Sequence, residues 1–196
     1  GSFTAAGQQR AVERLGKLAL AFISLSDRAS NAGGGDRDAL SGAYQAITPP
    51  LEDIYDRNVG DLERKAKQIM EQDGDLDALY ETPAFKEAQA VGSQALYFLN
   101  WLHYYGARLY DGAQRKELLE NAQRGFSEFA VGDRRSDLLV ESLLGRGLTH
   151  LELGNTEFAV HDLQAVANDP QASPERKSKA RLALLDTQVR AGNVTE

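Results

Sequence analysis

The sequence predicts an all-α protein, on three observations. Apolar residues recur three and four apart in segment after segment, no stretch alternates apolar and polar residues as a sheet strand would, and glycine or proline clusters separate the periodic segments. A chain of 196 residues is long enough to bury a continuous helical core without help from disulfides. It has no cysteine, which excludes disulfides, thiolate metal sites and a cysteine nucleophile and leaves the redox compartment undecided.

The elements follow in order. Val12, Leu15, Leu18, Ala19, Phe22 and Ile23 share one stripe and predict a first helix over residues 5 to 25. Ser26 to Asp36 lacks periodicity and carries Gly33, Gly34 and Gly35, so it reads as a loop ending in the N-cap Asp36. A short helix from Arg37 to Ile47 is expected to break at Pro49 and Pro50, because proline lacks the amide donor and restricts the residue before it. Pro50 then suits the first turn of a helix from Leu51 to Gln72, where Leu51, Ile54, Tyr55, Leu62, Ala66, Ile69 and Met70 keep helical spacing. Residues 73 to 82 are acidic and turn-rich, and Pro83 opens a long helix to Tyr110. Four more helices are expected at Ala113 to Val131, Ser136 to Leu153, Thr156 to Asn168 and Pro174 to Ala191.

The stretch from Leu143 to Pro170 carries the most information. It reads as two helices joined by Gly154-Asn155-Thr156, with Gly147 small in the first, Ala159 and Leu163 on one face of the second, and Pro170 closing it. At a constant offset, Ala159, Leu163 and Val166 match Ala122, Phe126 and Phe129, while Leu143 and Gly154 match Trp101 and Gly112 across a longer connection. Gly192-Asn193 repeats Gly154-Asn155 after another amphipathic helix with Leu182, Leu184, Leu185 and Val189. This order resembles the tetratricopeptide repeat, whose period is about 34 residues.

The resemblance implies antiparallel helix pairs in a right-handed superhelical array with extra N-terminal helices. Residues 1–92 are expected to form a helical segment packing on the array, and residues 93–196 the repeats, the last of them incomplete. Since the chain opens Gly-Ser-Phe and stops in a turn, it is expected to be a fragment. An incomplete last unit offers an end through which two copies could associate as a homodimer.

Function follows from what such arrays do. The expected role is a noncatalytic protein-interaction or assembly scaffold with a protein or peptide partner, set in a bacterial envelope complex. With one methionine, no cysteine and many polar helix formers, composition tilts the compartment toward the periplasm or another exported location. The competing reading is an enzyme, or the regulatory domain of one, with paired carboxylates in a cleft between the N-terminal helices and the array. A net charge of −7 with scattered basic residues argues against nucleic acid. The longest apolar run, Leu18 to Ile23, is far short of the roughly 20 residues of a membrane span.

No cofactor or metal is expected. Asp73-Gly74-Asp75-Leu76-Asp77 begins like a calcium loop, but Ala78 stands where the turn needs glycine and Ala84 where a bidentate glutamate belongs, so it reads as an acidic turn. His103, His150 and His161 lack metal-ligand spacing and read as isolated histidines. The glycines at 33 to 35 have no following lysine and read as a hinge.

Tyr97, Phe98, Trp101 and Tyr104 lie three and four apart and read as core. Tyr105 and Asn100 fall off that stripe and read as exposed contacts. The groove positions hold Leu144, Leu148 and Leu151, with Leu102 and Leu109 in the preceding unit, which argues against the family's carboxylate clamp and favours a groove filled by the chain's own N-terminal helices. The candidate partner-binding residues are Asn100, Tyr105, Arg108, Glu141, Arg146 and His150.

Overall fold

The computed structural model describes residues 5–32, 36–72, 74–130 and 137–190, and every regular element among them is helical. The chain divides into two units, Gly1–Tyr105 and Gly106–Glu196. No described helix is long and apolar enough to cross a membrane.

In the first unit, α1 spans Ala5–Ala32 and α2 Arg37–Glu71. Val12, Ala19 and Phe22 are buried on α1, whereas Leu18, placed on the same stripe by its spacing, is 54% exposed. The face follows Val12 and Gly16 instead, because Gly16 lets the Phe98 ring press against the α1 backbone where any Cβ would overlap it. Helix α1 also continues beyond the expected end at residue 25. Ser26 is buried and Asp27 accepts a 3.0 Å hydrogen bond from the Tyr105 hydroxyl, so tertiary contacts carry the helix on. The glycines at 33 to 35, and Asp73 of the acidic turn, lie outside the described residues.

The expected break at Pro49 and Pro50 does not occur. One helix runs through both prolines, with Asp36 capping it by accepting from Ala39 N at 3.0 Å. Tyr44, Ile47, Thr48, Leu51, Ile54 and Asn58 form a buried stripe that passes the prolines without a change of phase. Packing of that stripe, together with α1, outweighs the roughly 3 kcal/mol a helix-interior proline costs. Asn58 satisfies its buried amide by donating to the Ile54 carbonyl at 2.7 Å.

The acidic turn folds as a short helix, α3 (Leu76–Tyr80), where the Asp75 carboxylate accepts from the amides of Asp77 and Ala78 at 2.9 and 3.3 Å. Pro83 starts α4 (Pro83–Gly106), and Thr82 caps it by accepting from Phe85 N at 3.2 Å. Phe98, Trp101 and Tyr104 are buried, in line with their spacing. A 3₁₀ turn, Ala107–Leu109, continues the chain into the second unit.

The second unit holds α5 (Gly112–Phe129), α6 (Asp137–Glu152), α7 (Thr156–Asn168) and α8 (Pro174–Arg190). Helix α6 lies against α5, α7 and α8. Two glycines on α6 make close approaches: at Gly145 a Cβ would overlap the buried Phe126 ring, and at Gly147 it would lie 2.9 Å from Leu163 Cγ. Gly154 turns the chain between α6 and α7 at φ +80°, and Gly112, its counterpart by sequence offset, also sits in the left-handed region at φ +58°. Among the described residues, ion pairs join Arg115 of α5 to Glu152 of α6, Arg146 of α6 to Asp162 of α7, and Glu141 of α6 to Arg176 of α8. Leu144, Leu148 and Leu151 are buried, as are Leu102 and Leu109, so these leucines line no open groove.

Candidate functional site

The second unit contains a pocket of about 490 Å³ lined by Gln123, Ser127, Arg146, His150, Phe158, His161 and Asp162. Three helices supply it. Arg146 and His150 stand one turn apart on α6, Phe158, His161 and Asp162 come from the start of α7, and Gln123 and Ser127 close the α5 side.

Asp162 is only 2% exposed and anchors the site. Its two oxygens accept a forked pair of hydrogen bonds from Arg146, Nε to Oδ2 at 2.6 Å and Nη2 to Oδ1 at 2.8 Å. The hydrogen bonds with Asp162 raise the guanidinium above its ordinary range and keep it charged. His161 Nδ1 lies 3.2 Å from Asp162 Oδ1, while most of the His161 side chain, 81%, faces solvent. Asp162 thus fixes the plane of Arg146 and leaves the Nη1 edge of the fork for a ligand acceptor.

His150 is buried and stacks on Phe158, with ring centroids 5.4 Å apart and planes 28° from parallel. Burial lowers its pKa below the ordinary 6.5, with the Arg146 charge adding to the effect and Asp162 opposing it. A neutral ring fits its other contact, since Asn155 Nδ2 lies 3.4 Å from Nδ1, where an amide donor needs an unprotonated nitrogen. Phe158 itself is 64% exposed, an aromatic face held in place from below by the histidine.

Two of the six residues singled out by sequence, Arg146 and His150, meet in this pocket. Glu141 is spent in its ion pair with Arg176, and Arg108 stands exposed on the 3₁₀ turn outside the lining. Asn100 and Tyr105, expected as exposed contacts, are buried. Each is 1% exposed, so neither offers a contact surface. Helix α4 is buried on consecutive residues from Phe98 to Tyr105, and a helix enclosed on all faces has no exposed side for an off-stripe residue to occupy. Tyr105 packs against Trp101 and Tyr104 at centroid distances of 6.0 and 5.1 Å.

Phe158, His161 and Asp162 were missed as a set. Their signal was present, since Phe158 and His161 fall off the Ala159–Leu163–Val166 stripe, and an aromatic on the outer face of an amphipathic helix has no packing reason to be there. Among the described residues no group of three or more histidine or carboxylate side chains is placed to hold a metal ion. In the first unit, Glu52 lies 3.6 Å from His103 and is lowered by that hydrogen bond, the opposite of the raised acid a general-acid role requires. No family model, curated protein or solved structure matches this chain.

Proposed function

We propose that this chain is a noncatalytic protein-interaction scaffold built on tetratricopeptide-like helix pairs, and that it receives a short partner segment in the α5–α6–α7 pocket. The observation that carries the reading is Phe158, exposed over a buried neutral imidazole and beside a guanidinium already oriented by a buried carboxylate. An apolar or aromatic side chain covers Phe158, and a carbonyl or carboxylate accepts from Arg146 Nη1. Repeat character is supported by Gly147 against Leu163, by the matched left-handed glycines 112 and 154, and by the Glu141–Arg176 pair between α6 and α8. A setting in a bacterial envelope complex rests on composition.

Self-association belongs to the same reading. Leu182, Leu185 and Val189 are exposed on one side of α8 and suit a contact between copies.

A displayed peptide library selected on the whole protein tests the pocket. Selected peptides are expected to compete with one another and to lose at least about tenfold in affinity with Phe158→Ala, an exposed position whose truncation leaves the core intact. Peptides that bind Phe158→Ala as tightly as the parent would sink the assignment.

A further inference from the structure

The outward face of α1 has two features that do not belong on a solvated helix. Arg14, Leu18, Ala21, Leu25 and Arg28 are all exposed and recur at alternating steps of four and three, so they line up as one seam along the helix. Leu18 and Leu25 are each 54% exposed, with the small Ala21 between them. Arg10 and Lys17 flank the seam, which gives this face four cations in a chain whose net charge is −7. Arg10, Arg14 and Lys17 make no ion pair with any described residue, and Arg28 only donates to Ser24 at 3.1 Å. Of the two acids on α1, Asp27 is turned inward to Tyr105 and Glu13 accepts from Gln9 at the edge.

We propose that this seam docks an acidic amphipathic helix of another protein. Leucines spaced at the seven-residue repeat around an alanine fit the apolar stripe of a second helix at close approach. The cations at both ends and along one flank call for glutamate or aspartate opposite them. The other occupants fit less well. A second copy pairing through the same face would set Arg14 and Arg28 against like charges, and a nucleic-acid backbone would leave the Leu18–Ala21–Leu25 centre of the seam without an apolar partner. Two leucines on a convex ridge also offer little apolar surface for insertion into lipid.

The test uses the whole protein and a labelled synthetic helix of three heptads with leucine at the core positions and glutamate on both flanks, followed by fluorescence anisotropy. Binding is expected in the micromolar range, weakening with salt, and falling at least about tenfold for Leu18→Asp/Leu25→Asp and for Arg14→Glu/Arg28→Glu. The same helix with lysine flanks is expected to ignore the parent and to bind the charge-reversed variant. All four positions are exposed, so circular dichroism should show these variants folded, and none of them touches the α5–α6–α7 pocket. Failure of the glutamate helix to bind, or equal binding to the variants, overturns the proposal. So does sedimentation with vesicles about one-third phosphatidylglycerol in place of peptide binding, which would assign the seam to a lipid surface.

Discussion

Ser142 and Thr48 bury hydroxyl oxygens that find no hydrogen-bond partner, each inside a helix whose packing is otherwise apolar at that point. A buried donor left unmade costs more than an apolar group of the same shape. Ser142→Ala and Thr48→Val are therefore expected to raise stability, by about 1 kcal/mol each, as measured by urea unfolding. His150 sets a pH dependence of known sign. Its folded pKa is lowered by burial, so between the unfolded value of 6.5 and the folded one the unfolded chain holds the extra proton, and stability is lost as the pH drops through that window. Above it both states are neutral and the term vanishes. His150→Gln is expected to flatten the acid-side loss relative to the parent when both are unfolded at about pH 7 and about pH 5; parallel losses would mean that other groups carry it.

Helices in this protein meet where glycine replaces a side chain. Gly145 abuts Phe126, and substitution by alanine pushes a methyl into a fully buried ring with nowhere to move, a cost of about 1–3 kcal/mol. Gly60 on α2 has open space around its Cβ position, so Gly60→Ala is expected to stabilise by about 0.5–1 kcal/mol through the unfolded chain alone. The pair makes a controlled comparison by thermal unfolding, and equal effects of the two substitutions would contradict the packing account. Much of this level was legible in advance. Thr156–Asn168 matches its expected bounds, and Asp36 and Pro83 begin helices as their chemistry requires. Pro49 and Pro50 misled because local geometry predicts a break while the buried stripe from Tyr44 to Asn58 holds the helix together.

For the whole molecule, charge separates two kinds of association. Copies joining through Leu182, Leu185 and Val189 of α8 each carry −7, so their repulsion is screened by salt and the contact tightens as salt rises. The α1 seam recognises opposite charge and loosens under the same change. Light scattering across concentration is expected to show a mass that rises toward a dimer, more so at high salt, and to show a monomer throughout for Leu185→Lys. A dimer indifferent to that substitution would place the self-contact elsewhere.

Most helices and most of their ends came from the sequence itself, because hydrophobic period, caps and glycine turns are local chemistry read over a few residues. The close approach at Gly147 and the turn at Gly154 were legible in the same way. Which face is buried was decided by tertiary structure. Asn100 and Tyr105 vanish into the C-terminal stretch of α4, where Phe98 to Tyr105 are all buried, while Leu18 is left in solvent because α4 packs against Gly16 instead. The pocket was also beyond local reading. Arg146 acquires its orientation from Asp162 one helix away, and burial, with the Arg146 charge beside it, lowers the pKa of His150 where it stacks on Phe158, so the site exists only once α6 and α7 are folded against each other.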